Sequence, residues 1–125
     1  MEDRFYVEPT QISPEIELLK DGSVFIIKGR SMPENSELFY QPVLNWIERQ
    51  YSGSDVSIVL DVKLDYYNTG SFIRLMGLFN LLGKLNESGA DFRIRWICDS
   101  DDEDNIADGE SFKEVVKVPF DIVAI

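Results

Sequence analysis

The order of strand-like and helix-like segments most limits what this chain can fold into. Segments 15–19 (EIELL) and 23–28 (SVFIIK) flank the tripeptide KDG, which is typical of a β-hairpin. After this hairpin, a helical pattern followed by a strand pattern occurs three times. A helix that connects two strands of one sheet returns the chain to a parallel neighbour. The order therefore predicts an α/β fold with a mixed, mostly parallel sheet and one antiparallel strand.

Apolar residues at helical spacing predict three helices. The first lies within SMPENSELFYQPVLNWIERQ, where Pro33 and Ser36 suit a first turn and Pro42 indicates a kink or a late start. The second runs from about Gly70 to Asn86, and the third is short, near 105–116. Apolar and alternating runs then predict the strands of the repeat. These are 55–62, 92–98 and the closing PFDIVAI.

The two central strands indicate which sheet faces are covered. In segments 55–62 and 92–98, apolar residues alternate with mainly polar ones, whereas strands buried on both faces read as continuous apolar runs. All helices should therefore lie on one face, leaving the other partly open. With 125 residues, 44% of them hydrophobic, the chain can bury one core, so we expect a single domain over 1–125. We also expect apolar residues of the second helix to pack on these strands: Leu75, Met76, Phe79 and Leu82 against Ile58, Leu60 and Ile94.

Composition argues against several classes of function. A formal net charge of −11 would repel a phosphate backbone, which disfavours nucleic-acid binding, and no apolar run approaches the length of a membrane span. The chain has no histidine and no P-loop or GxGxxG pattern, so we expect a non-enzymatic protein without a cofactor. Cys98 is the single cysteine and the acidic N-terminus does not resemble a signal peptide, which predicts a cytoplasmic location.

The acidic run DSDDEDNIADGE, residues 99–110, allows two interpretations. Carboxylates at positions 99, 101, 103 and 110 have the spacing of a calcium-binding loop, although Asp104 stands where such a loop needs glycine. This pattern would suit a small-molecule or calcium-binding domain. The simpler interpretation is a solvated acidic loop that caps the following helix.

The segment DYYNTGSF, residues 65–72, places the small residues Asn68, Thr69, Gly70 and Ser71 between a strand and the second helix. In one interpretation, the Thr69 hydroxyl caps the helix and contributes about 1 kcal/mol. In the other, Thr69 is phosphorylated. A phosphate carrying a charge of roughly −1.5 to −2 is favoured at a helix N-terminus, and the small neighbours leave room for a kinase or phosphatase. Residue chemistry permits both.

Four segments together resemble a known family. They are GRSMPENSELFYQPVLNWIE (29–48), LDYYNTGS (64–71), RWICDSDDEDNIADGESF (95–112) and VPFDIVAI (118–125). They are similar to the successive motifs of the SiaC family of bacterial regulatory phosphoproteins, which resembles anti-anti-sigma (STAS-type) domains in architecture. The resemblance covers nearly the whole chain. One departure is that the family usually has two serines after the threonine, whereas this chain has Gly70 and then Ser71.

The resemblance implies a switch operated by reversible phosphorylation at Thr69. A dedicated serine/threonine protein kinase would add the phosphate, and a PP2C-type phosphatase would remove it. The unphosphorylated form would bind a diguanylate cyclase and promote cyclic-di-GMP synthesis, linked to biofilm formation. Residues beside Thr69 are candidate partner contacts, and those of the PENS segment either contact the partner or cap the first helix. The candidates are Pro33, Glu34, Asn35, Ser36, Tyr67, Asn68, Gly70 and Ser71.

Overall fold

Within residues 3–125, which the computed structural model describes, six strands form one sheet in chain order. The second strand is antiparallel to both of its neighbours, and the third to sixth strands pair in parallel. The predicted mixed, mostly parallel sheet with one reversed strand is therefore confirmed. The strands are β1 (Arg4–Val7), β2 (Glu15–Leu19), β3 (Phe25–Ser31), β4 (Ser57–Tyr67), β5 (Asp91–Cys98) and β6 (Phe120–Ala124).

The hairpin between β2 and β3 is confirmed. Gly22 has a φ of 81°, in the left-handed region that glycine adopts without strain. The Asp21 carboxylate accepts hydrogen bonds from the Ser23 N–H at 2.9 Å and from the Ser23 hydroxyl at 2.7 Å. The turn chemistry that the sequence indicated therefore sets the register of this antiparallel pair.

The edge strand β1 is the element that sequence analysis missed. Its residue Phe5 pairs with Leu18 of β2, and the Phe5 ring lies 6.1 Å from the ring of Trp46. A strand of four residues gives too few positions for an alternating pattern to be recognised. Its place depends on the hairpin that it joins.

Three helices, α1 (Ser36–Tyr51), α2 (Thr69–Glu87) and α3 (Glu103–Val115), connect the parallel strands in the described part of the chain. Pro42 lies inside α1 at an exposed position, so the late start that it allowed is excluded. Helix α2 begins at Thr69, where the sequence predicted about Gly70, and α3 begins at Glu103, where it predicted a start near 105. Over residues 3–125, none of the helices has the length and apolar character needed to cross a membrane.

All three helices cover the same face of the sheet, as predicted. The covered side chains of β4 and β5 alternate with exposed or half-buried ones. On the uncovered face, Arg95 and Asp61 form an ion pair at 3.6 Å. The buried residues of the two strands are Ile58, Leu60, Val62, Leu64, Phe92, Ile94, Trp96 and Cys98. Of the four helix residues expected in the core, Leu75, Phe79 and Leu82 are fully buried and Met76 is partly buried.

Trp96 lies at the centre of an aromatic cluster on the covered face. Its ring centroid is 6.5 Å from that of Phe79 on α2 and 5.1 Å from that of Phe112 on α3. The Phe120 ring of β6 is 6.2 Å away. One side chain of β5 therefore contacts two helices and the neighbouring edge strand.

We expect Leu82→Ala to lower the free energy of unfolding by about 2–5 kcal/mol, because it would leave a cavity under α2. Urea denaturation followed by circular dichroism would measure the loss. Leu38→Ala is the matched control, since Leu38 is 72% exposed and should change stability by less than about 0.5 kcal/mol. Equal effects of the two substitutions would contradict the assignment of the covered face.

Candidate functional site

The starts of all three helices lie at one edge of the sheet. The strands β3, β4 and β5 are parallel, so their carboxyl ends share this edge, and each is followed by a helix. Contacts between the segments are direct: the Asn68 N–H donates to the Ser31 carbonyl at 3.0 Å, and the Tyr67 hydroxyl donates to Asp108 Oδ2 at 2.6 Å. The fold therefore brings together the end of β3, which leads into the PENS segment (33–36), the NTGS segment (68–71) and the first turns of α3.

Thr69 is the first residue of α2, and its side chain is exposed. The cap is Asn68, whose Oδ1 accepts a hydrogen bond from the Ser71 N–H at 2.8 Å. The interpretation of Thr69 as the helix cap is therefore wrong. An asparagine directly before a helix is as good a cap as threonine, so the position of the cap depended on where the helix begins. The Thr69 hydroxyl takes no part in the capping.

Ser71 does not contribute to an open surface, in contrast to its place among the candidate contacts. Its side chain is fully buried, and its hydroxyl donates to the Ser31 carbonyl at 2.8 Å. The Ser31 hydroxyl donates to Ser71 Oγ at 2.8 Å and lies 2.6 Å from the hydroxyl oxygen of Tyr40 on α1. Burial raises the pKa of Tyr40 to about 12, so this group of three hydroxyls is neutral at physiological pH.

Gly70 lies against the first turn of α1. A Cβ atom at this position would be 2.8 Å from Ser36 Oγ, closer than two such atoms approach in proteins. The glycine therefore allows the two helix starts to pack together. This contact joins the PENS and NTGS segments, which are more than 30 residues apart in the chain.

The PENS segment caps α1, as one of its two interpretations predicted. Asn35 Oδ1 accepts a hydrogen bond from the Leu38 N–H at 3.0 Å. Pro33 is buried, Ser36 is half-buried and Glu34 is exposed. Partner binding by this segment stays a prediction. Glu34, Asn35 and Ser36 are the residues whose side chains a partner could reach.

The first turns of α3 form a wall beside Thr69. The half-buried Tyr67 hydroxyl donates mainly to Asp108 and also lies 3.3 Å from Asn105 Oδ1. Burial and then the hydrogen bond to Asp108 raise the pKa of Tyr67, so the hydroxyl stays protonated. Together, these side chains and their neighbours line an open depression of about 320 Å³. Its lining residues are Tyr67, Asn68, Thr69, Phe72 and Asp108.

Asn105 is a site residue that sequence analysis missed. It is 5% exposed, and its Nδ2 donates to the Leu64 carbonyl at 3.1 Å while its Oδ1 accepts from Trp96 Nε1 at 2.8 Å. These bonds fix α3 to the ends of β4 and β5. A polar residue inside an acidic run gives no sign of burial, so no pattern in the sequence could have identified it.

The calcium-loop interpretation of residues 99–110 is wrong. Asp102 caps α3 through a hydrogen bond from the Asn105 N–H at 3.1 Å, and the following residues are helical, so their carboxylates spread around the helix. Across residues 3–125, no three acidic or cysteine side chains are close enough together to hold a metal ion. The simpler interpretation, an acidic loop that caps the helix, is confirmed. Cys98 is a buried residue whose thiol pKa is raised by burial.

Comparison with known proteins agrees with this arrangement. The family model described as "SiaC family regulatory phosphoprotein" matches residues 7–125. The chain belongs to the SiaC family. The family model spans the PENS segment, Thr69, the acidic run and β6, so the resemblance seen in the sequence is confirmed.

Solved structures of SiaC from Pseudomonas aeruginosa have the same fold. The SiaC structure in complex with the diguanylate cyclase SiaD, of which SiaC is the activator, has a TM-score of 0.89 at 30% identity, covering 97% of this chain and 99% of that one. Apo-SiaC has a TM-score of 0.85 at 30% identity, covering 97% and 98%. An uncharacterized protein of strain UCBPP-PA14 is 30% identical over 119 residues, 95% of this chain and 94% of its own length.

The capping assignment predicts different effects for two adjacent residues. We expect Asn68→Ala to destabilise the protein by about 0.5–2 kcal/mol, because the Ser71 N–H loses its acceptor. Thr69→Ala should change stability by less than about 0.5 kcal/mol, as expected for an exposed side chain. Thermal and urea unfolding would measure both.

Asn80→Ala is the matched control for the asparagine substitution, because Asn80 is exposed in the interior of the same helix. This control should show no comparable loss. A larger loss for Thr69→Ala than for Asn68→Ala would show that threonine is the cap after all.

Proposed function

We propose that this protein is a non-enzymatic regulator that binds and activates a diguanylate cyclase when Thr69 carries no phosphate. A serine/threonine kinase adds the phosphate, a PP2C-type phosphatase removes it, and the exchange takes place in the cytoplasm. The output is cyclic-di-GMP synthesis and, through it, biofilm formation. Support for the partner comes from the family and from the 30%-identical SiaC that forms a complex with the cyclase SiaD.

The observation that carries the proposal is the exposed hydroxyl of Thr69 at a helix start that another residue caps. The chain has two threonines. The Thr10 hydroxyl oxygen accepts hydrogen bonds from the N–H groups of Ile12 at 3.1 Å and Ser13 at 2.9 Å, so it holds a turn. Thr69 has no such role in the helix cap. A kinase can therefore modify Thr69 without breaking the bonds that begin α2.

A phosphate at this place should change recognition more than stability. The start of α2 has no acidic residue in its first turn, and its free N–H groups and dipole favour a negative group. A partner surface that fits a neutral hydroxyl would disfavour the phosphate. A bulky group of charge roughly −2 would have to be desolvated in the interface. Asp108, which lines the same depression as Thr69, adds like charge on this side.

The proposal predicts opposite behaviour for two substitutions at Thr69. Thr69→Ala should keep its affinity for the cyclase and accept no phosphate. Thr69→Glu should fold normally but weaken cyclase binding at least about 100-fold, or about 2.7 kcal/mol. Isothermal calorimetry with the purified cyclase, phosphosite mass spectrometry after incubation with the kinase, and cyclase activity assays would test this.

Asn80→Glu is the matched control. It adds the same charge at an exposed position of α2. Asn80 lies eleven residues beyond Thr69, and a helix rises about 1.5 Å per residue, so the added charge is well away from Thr69. Asn80→Glu should bind the cyclase like wild type. Phosphate on another residue, or wild-type binding by Thr69→Glu, would refute the switch.

A further inference from the structure

The segment that carries Thr69 is attached to β3 at both of its ends. The Ser31 carbonyl accepts one hydrogen bond from the Asn68 N–H at 3.0 Å and a second from the Ser71 hydroxyl at 2.8 Å. Thr69 and Gly70 are the residues between these two attachments. One carbonyl oxygen therefore holds the first turn of α2 to the end of β3.

The Ser71 hydroxyl is not needed for the helix itself. The Ser71 N–H is satisfied by Asn68 Oδ1, and the Phe72 N–H donates to the Asn68 carbonyl at 3.0 Å. A buried hydroxyl stabilises a fold only modestly, because burial removes its bonds to water. An alanine would be compatible with the helix, although the Ser31 hydroxyl would lose Ser71 Oγ as its acceptor. The hydroxyl is therefore better explained by where it holds the chain than by helix stability.

The surroundings also prevent the segment from moving inward. Gly70 lies against Ser36, where a Cβ atom would be 2.8 Å from Ser36 Oγ and would require that hydroxyl to turn away. Beneath it, Ser71, Ser31 and Tyr40 are fully buried and hydrogen-bonded in series. Of the three side chains at positions 68, 69 and 71, that of Thr69 is the exposed one, so it projects outward from a fixed turn.

We propose that Ser71 is a positioning residue for phosphorylation of Thr69. Its hydroxyl fixes the first turn of α2, so that the Thr69 hydroxyl is presented to the kinase at a constant position. Without this bond, the turn is held by Asn68 alone and opens more often, as helix ends do. Phosphoryl transfer depends strongly on the alignment of the attacking oxygen, so a mobile turn slows the reaction. This inference rests on the proposed function of Thr69.

The test compares Ser71→Ala with Ser31→Ala. The second substitution removes the other buried hydroxyl but keeps the Ser31 carbonyl, to which Ser71 donates. Phosphorylation of each variant would be measured with ATP and the host kinase that modifies the wild-type chain. We expect Ser71→Ala to lower kcat at least fivefold with KM changed less than twofold, whereas Ser31→Ala stays within twofold of wild type in both. Ser71→Cys keeps the buried volume with a weak donor and should also lose kcat.

Hydrogen exchange gives a readout that does not depend on the kinase. The amides of Asn68 and Phe72 should exchange faster in Ser71→Ala than in wild type, while those of the β5 strand keep their protection. In Ser31→Ala, the two amides should exchange as in wild type. A general loss of stability would instead raise exchange throughout the sheet.

Three outcomes would overturn the inference. Unchanged kcat in both Ser71→Ala and Ser71→Cys would show that the hydroxyl has no positioning role. Equal losses in the Ser71 and Ser31 variants would show that only stability matters. Absence of phosphate on wild-type Thr69 would refute the proposed switch as well, so the two failures are distinguishable.

Discussion

The contacts of Trp96 hold the helix layer to the sheet, and the geometry of the site depends on them. Its ring contacts α2 and α3, and its Nε1 donates to Asn105. A Cβ atom at Gly109 would lie 2.7 Å from Trp96 Cδ1, so glycine is what lets α3 approach the ring this closely. Because α3 lies there, Asp108 reaches the Tyr67 hydroxyl and forms one wall of the depression beside Thr69. Core packing thus fixes the shape of the surface beside Thr69.

Thr69 and Ser71 place two nearby hydroxyls in opposite surroundings. Two residues along a helix correspond to a rotation of about 200°, so one side chain points to solvent when the other points to the core. Thr69 is exposed and Ser71 is fully buried, in agreement with this geometry. The chain can therefore change chemistry at the surface while the interior attachment of the same turn is left intact. Ser71 lies four residues before the core residue Leu75 and eight before Phe79, so the helical period places its hydroxyl, and not that of Thr69, on the buried face.

The large-scale order of the fold could be predicted because it depends on periodicity. Alternation in β4 and β5 identified the covered face, and the KDG turn identified the hairpin. Details that depend on single contacts could not be predicted. The cap could have been Asn68 or Thr69 on chemistry alone, and the burial of Asn105 results from strands that are distant in the chain. The strand β1 was missed since its partner, and not its own pattern, makes it a strand.

The close contact of Gly70 with Ser36 has a consequence for the timing of the proposed switch. Helices that already touch through backbone and a small side chain have little room to slide past each other. Phosphorylation of Thr69 would then change partner binding directly at the surface around it. No slow movement of one helix against another would have to follow. In the proposed switch, the response time would be set by how fast the kinase and phosphatase turn over and how fast the partner dissociates.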